Sequence, residues 1–79
     1  MFLEIITPEK KVYEGEILSV QLPGTEGSFQ ILNNHSPIVS TLKKGSLVLV
    51  DSNNESQAIE LAGGVVEVNS NHIIVLAEG

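Results

Sequence analysis

The chain contains no cysteine, no tryptophan and no arginine, and its only aromatics are two phenylalanines and one tyrosine among 79 residues. Without thiols it has neither a disulfide framework nor a thiolate metal site, so a domain this small depends on its apolar core. The only cations besides the terminus and the histidines are Lys10, Lys11, Lys43 and Lys44, against ten acidic residues, for a formal net charge of −6. Nucleic acid is thereby disfavoured as a partner, because a phosphate backbone needs clustered lysine and arginine. Two isolated lysine pairs are also too few to attract an anionic membrane, and they fit solvated turns. Long hydrophobic runs are missing as well. The longest, residues 47–50 and 73–77, are far too short to cross a bilayer, and Glu4 interrupts the start of the chain with no basic segment before it. The expectation is a soluble single domain over residues 1–79 that meets a membrane only indirectly, through a partner.

Helical periodicity is absent too: nowhere do apolar residues recur at a spacing of three and four over three turns. What the chain has instead is short β-forming segments separated by turn residues. The pattern predicts strands at 2–7, 12–14, 16–22, 29–32, 38–42, 46–50, 57–61, 65–68 and 72–77. In the third of these, Leu18, Val20 and Leu22 fall on one face and Ser19 and Gln21 on the other, the alternation of a half-buried strand. Asp51 to Glu55 and Asn69 to Asn71 have the composition of hairpin turns, so the second half resolves into two hairpins. Ala62-Gly63-Gly64 between them breaks the ladder or bends it as a bulge. Short strands with turn signals at this spacing predict an all-β fold, an antiparallel β-sandwich or flattened barrel.

The irregular chemistry is concentrated in residues 22–37, Leu-Pro-Gly-Thr-Glu-Gly-Ser-Phe-Gln-Ile-Leu-Asn-Asn-His-Ser-Pro. Pro23 cannot donate to a ladder and is expected to end one, while Gly24 and Gly27 allow a tight turn. Phe29 and Ile31, two apart, can both point into a core. Asn33, Asn34 and His35 tolerate left-handed backbone, and Pro37 fixes the exit. Loops held on a rigid scaffold are where function concentrates, which singles out this stretch.

Reactive chemistry is sparse. His35 and His72 lie on different elements without the spaced ligands of a zinc site. His35 could act as a general base, but a histidine between Asn34 and Ser36 more commonly bonds within its own loop. His72, at a strand start, is expected to be exposed. Gly63-Gly64 and Gly24-x-x-Gly27 lack the third glycine and following helix of a phosphate cradle. Glu26 is a solvated turn acid whose role depends on what docks there. No catalytic, cofactor-binding or metal-binding residue is predicted, and the residues point to a binding or structural module.

Several segments together resemble one known family. Leu3-Glu4-Ile5-Ile6-Thr7-Pro8-Glu9-Lys10, Val12-Tyr13-Glu14-Gly15-Glu16, Leu22-Pro23-Gly24-Thr25-Glu26-Gly27-Ser28-Phe29, Asn34-His35-Ser36-Pro37, Leu42-Lys43-Lys44-Gly45, Ala62-Gly63-Gly64-Val65-Val66-Glu67-Val68 and Val75-Leu76-Ala77-Glu78 occur in the order and spacing of the N-terminal β-sandwich domain of the epsilon subunit of F-type ATP synthases. The resemblance implies a sandwich of about ten short strands. It also implies a non-catalytic subunit of the central stalk, the rotor, that docks on the gamma subunit and on the ring of c subunits and couples proton or sodium flow to ATP synthesis. Such a subunit needs no cofactor and sits peripherally on the cytoplasmic face of the bacterial plasma membrane. By the same resemblance the ring-facing loops are Glu26-Gly27-Ser28 and Asn34-His35-Ser36-Pro37. Ser28 stands where relatives often carry an acid, Gln30 where glycine is common and Asn33 where proline is common. Relatives usually continue into a helical hairpin that binds ATP or inhibits hydrolysis; this sequence ends at Gly79, so neither role is carried over. A biotinyl or lipoyl carrier domain is the rival of a different class, but Lys43-Lys44-Gly45 lacks the motif around a modified lysine.

Overall fold

A computed structural model describes residues 1–78; Gly79 lies outside the described residues. Eight strands follow one another: β1 (Phe2–Ile6), β2 (Lys11–Gly24), β3 (Gly27–Leu32), β4 (Ile38–Leu42), β5 (Gly45–Asp51), β6 (Ser56–Leu61), β7 (Gly64–Asn69) and β8 (His72–Ala77). The all-β class is as expected, with eight strands in place of about ten. They form one hydrogen-bonded sheet folded over on itself. One layer runs β2 (first half), β1, β8, β7, β4, and the other β3, β2 (second half), β5, β6. All pairings are antiparallel except β1 with β8, which is parallel and joins the two ends of the chain.

β2 explains the reduced count. Its 14 residues would extend about 43 Å at the usual rise per residue, yet the longest dimension of the molecule is 27 Å, so the strand must bend. It bends where it changes partner. Residues up to Glu16 pair with β1, and from Ile17 onwards the strand pairs with β5, with a register shift between Ile17 and Ser19. An extra residue at such a bulge reverses the alternation before it. Ile17 is therefore buried and Leu18 is 50% exposed, while Val20 and Leu22 point inwards as expected. The expectation that Leu18 shares the inner face fails for this reason.

Pro23 does not end the ladder either. β2 continues through it, Pro23 opposite Ser28 and Gly24 opposite Gly27, in a hairpin turning on Thr25 and Glu26. The Pro23 carbonyl accepts the Lys43 amide at 2.8 Å, so the residue is bonded through the one backbone group it has for that purpose.

Between the layers lie Leu3, Ile5, Ile17, Val20, Leu22, Ile31, Leu42, Leu47, Leu49, Leu61, Val66, Val68, Ile73, Val75 and Ala77, all aliphatic, with Tyr13, Phe29, Ile38 and Ile59 packed at the margin. No buried polar or charged side chain interrupts them among the described residues. A filled interior of this kind leaves function to the outer faces and the loops.

Candidate functional site

The two loops singled out in the sequence flank β3 on either side. Glu26 and Gly27 close the β2–β3 hairpin and Ser28 follows on β3, all exposed. The hairpin is fastened sideways to β4: the Thr25 amide donates to the Thr41 carbonyl at 3.1 Å, and the two threonine hydroxyls are 2.7 Å apart. Gly24 cannot carry a side chain here, since a Cβ would come within 2.6 Å of the Gly27 carbonyl oxygen and 2.8 Å of the Phe29 ring.

Asn34, His35, Ser36 and Pro37 form the β3–β4 connection, also exposed. His35 bonds within its own loop as expected, with Nδ1 2.8 Å from the Ser36 carbonyl oxygen and its amide donating to Leu32. Of the three residues expected to tolerate left-handed backbone, Asn34 adopts it, with φ of 66°. The loop is tied to the β7–β8 turn by a reciprocal pair. The Asn34 amide donates to Asn71 Oδ1 at 2.8 Å, and Asn71 Nδ2 donates to Asn34 Oδ1 at 3.1 Å. Asn71 is itself left-handed, with φ of 61°, a conformation asparagine adopts more readily than most residues. The sequence marked Asn71 only as a turn residue; its role as a fastener depends on a contact 37 positions away.

The structure does not gather these loops into one patch. They stand at the two ends of β3, about 16 Å apart over its five residue steps. They share one edge, however, because among the described residues β3 pairs on one side only, with β2. A partner touching both would have to lie along β3.

A second group of polar side chains escaped the sequence. On the outer face of the five-strand layer, His72 Nε2 lies 2.7 Å from Glu4 Oε1, and Lys11 Nζ lies 3.0 Å from both Glu4 Oε2 and Glu14 Oε1. Glu4 and His72 are 68 positions apart, and only the parallel β1–β8 pairing makes them neighbours. Hydrogen bonds from Lys11 and then His72 hold the Glu4 carboxyl below its ordinary range. The same Glu4 contact, followed by Glu14, holds the Lys11 ammonium above its own. His72 is exposed as expected, with its ring edge-on to Phe2 at 5.4 Å between centroids.

The surface depressions are open and shallow, one of them between Asn34, His35, Pro37 and the β7–β8 turn. Among the described residues no three His, Asp or Glu side chains are placed to hold a metal ion. Nor is any helix long and apolar enough to cross a membrane. Lys43 and Lys44 lie between β4 and β5, with Lys43 bonded through its amide to Pro23. What this geometry offers is contact: two pinned loops, a free strand edge and two outer sheet faces.

Comparison with known proteins decides the family. The family described as ATP synthase, Delta/Epsilon chain, beta-sandwich domain matches residues 1–79. The chain belongs to this family. It is 42% identical over 76 residues to the ATP synthase epsilon chain of Chlorobaculum tepidum, covering 96% of this chain and 86% of that one. With the ATP synthase epsilon chain of Sulfurimonas denitrificans the identity is also 42%, over 98% of this chain and 59% of the relative. The fold recurs in a chain of the Euglena gracilis mitochondrial ATP synthase, with a TM-score of 0.88 at 17% identity, covering 95% of this chain and 48% of that one. It recurs again in the central stalk and c-ring structure of the Tetrahymena thermophila mitochondrial enzyme, with a TM-score of 0.80 at 22% identity over all of this chain and 63% of that one.

Proposed function

We propose that this chain is a non-catalytic rotor subunit of an F-type ATP synthase. It docks on the gamma subunit and on the ring of c subunits, and so helps couple proton or sodium flow to ATP synthesis. The observation that carries the reading is the end-to-end family match, together with 42% identity to an epsilon chain of which this domain spans 86%. The fold agrees with it. An aliphatic interior with shallow outer depressions suits a body that transmits force through its surfaces. In this role the chain works peripherally, on the cytoplasmic face of a bacterial plasma membrane, held there by the complex.

The ring-facing residues are Glu26, Gly27 and Ser28 at one end of β3 and Asn34, His35, Ser36 and Pro37 at the other. A ring contact that includes both has to be elongated along the free edge of β3, about 16 Å or more from end to end. Polar contacts of this kind fix register more than they supply affinity. The carrier-domain alternative loses its support, because the family match covers the whole chain.

The test has two parts. Purified chain mixed with gamma subunit should form a complex recoverable by gel filtration and should show no ATPase activity by itself. In reconstituted vesicles, Glu26→Lys should reduce ion-coupled ATP synthesis at least severalfold while leaving the thermal midpoint within about 3 °C of wild type, as expected for an exposed turn residue. No gamma complex, or coupling and stability lost in parallel, would refute the proposal.

A further inference from the structure

Among the described residues, four other than glycine have left-handed backbone: Asn34, Asn54, Ser70 and Asn71, with φ of 66°, 64°, 51° and 61°. Where only the backbone has to be satisfied, glycine does so with least strain. Asparagine accepts the same conformation and adds a side-chain carboxamide. At Asn34 and Asn71 the two carboxamides meet across 37 positions of sequence. Asn54 instead stays within the β5–β6 turn, its backbone amide donating to the Asp51 carbonyl at 2.9 Å.

The two sides of the Asn34–Asn71 contact are held very differently. Ser70 and Asn71 are the central residues of the β7–β8 hairpin, between Asn69 and His72, which pair directly. Two left-handed residues in a two-residue turn match the twist of the strands they join. The Asn71 carbonyl also accepts the Phe2 amide at 2.9 Å, so its backbone is fixed to β1 as well as to β7 and β8. Asn34 lies in the connection that leaves the edge strand β3 for β4 in the other layer. Its tie back to β3 is the His35 amide, which donates to the exposed Leu32 at 3.2 Å. His35 comes next and is exposed. A carbonyl oxygen can only accept, so the Nδ1 lying 2.8 Å from the Ser36 carbonyl carries a proton, and Nε2 is the ring atom presented to a partner. The depression bordered by Asn34, His35, Pro37 and the β7–β8 turn puts that turn on the same surface.

We propose that Asn71 is a positioning residue for the ring contact: through Asn34 it sets where His35 presents Nε2. The inference rests on the ring-facing role proposed above for Asn34 to Pro37, and adds to it a residue from a turn that role did not include. A hairpin anchored on three strands of the five-strand layer thereby dictates the path of a connection that starts from an edge strand. Polar contacts fix register only when the loop that carries them is itself fixed, and a loop is fixed by the hydrogen bonds behind it.

Substitution by glycine isolates the side chain, because it leaves left-handed backbone unstrained. In the complex reconstituted into vesicles, Asn71→Gly and Asn34→Gly should each lower ion-coupled ATP synthesis at least about threefold, and the double variant no further than either one. Asn54→Gly makes the same change at a left-handed asparagine outside the contact and should leave synthesis as in wild type. Asn71→Asp keeps an oxygen that accepts the Asn34 amide and should recover at least about half of the loss. In the full chain, Asn71→Gly should lower the thermal midpoint by less than about 8 °C. The nitrogen chemical shifts of the His35 imidazole should move from the Nδ1-protonated form towards a mixture of tautomers. Synthesis that is unchanged in Asn71→Gly but lowered by His35→Ala overturns the positioning role and leaves the ring contact standing. Synthesis that withstands His35→Ala overturns both. An equal loss in Asn54→Gly, or no recovery in Asn71→Asp, also overturns the inference, because the effect is then not owed to the Asn34–Asn71 contact.

Discussion

Replacing Ile17 and Leu18 one at a time by alanine separates the observed fold from the one simple alternation implies. Both substitutions delete three side-chain carbons, so intrinsic transfer energies are nearly equal and any difference reports environment. Ile17 is 3% exposed and sits among the core side chains, with its amide bonded to the Met1 carbonyl at 2.9 Å. Losing three buried carbons costs about 2.4 kcal/mol in transfer alone, and the cavity left behind raises the total to roughly 3–4 kcal/mol. Leu18 is 50% exposed, so its truncation should cost less than about 1 kcal/mol. A domain of this size has only about 4–12 kcal/mol of stability in all. Ile17→Ala should therefore lower the thermal midpoint by roughly 12–30 °C and Leu18→Ala by less than about 8 °C. Urea unfolding followed by far-ultraviolet circular dichroism measures both, with Leu22→Ala, fully buried, as the reference for a core truncation. Equal costs at 17 and 18, or a greater cost at 18, would refute the bulge and with it the bend that carries β2 from one layer to the other.

Three further outcomes follow from the geometry. Gly64 has φ of 151°, and a Cβ there would overlap the Leu76 carbonyl oxygen, so Gly64→Ala should cost at least about 2 kcal/mol in urea unfolding although it removes no contact. Asn71→Ala removes the acceptor of the Asn34 amide and should cost about 1 kcal/mol, with faster amide hydrogen exchange confined to the β3–β4 loop and the β7–β8 turn. Glu4 is held below its ordinary value of 4.5 by Lys11 first and His72 second, so the stability it adds is present above that value and lost as pH falls through the lowered one. Thermal midpoints measured across that range should decline less steeply in Glu4→Gln than in wild type.

The parts of the fold legible in the sequence are those governed by near neighbours. Asp51–Glu55 and Asn69–Asn71 carry turn chemistry, and they close β5–β6 and β7–β8 as expected. Phe29 and Ile31 share the inner face because side chains alternate along any strand. The failures are tertiary. Leu18 is apolar and in phase with Val20, and nothing local announces that a strand must bend there to serve two layers. Pro23 was expected to stop a strand because it lacks an amide. At this position the fold needs only its carbonyl, which the Lys43 amide finds. The Glu4–His72 contact needed the parallel β1–β8 pairing, which joins the first strand to the last.

The candidate site divides along the same line. Proline, glycine, asparagine and histidine cluster in residues 22–37, so the loops there were conspicuous, and the sequence could name them without knowing that β3 holds them apart. The outer face has no such marker, because its residues come from β1, β4, β7 and β8 and each strand taken singly looks like ordinary core. The signal lay in a mismatch between elements. The run from Ile73 to Ala77 is uniformly apolar, a pattern suited to a strand covered on both sides, yet in this fold one layer can cover only its inner side. Ile73, Val75 and Ala77 account for the interior, while Ile74 and Leu76 are left over.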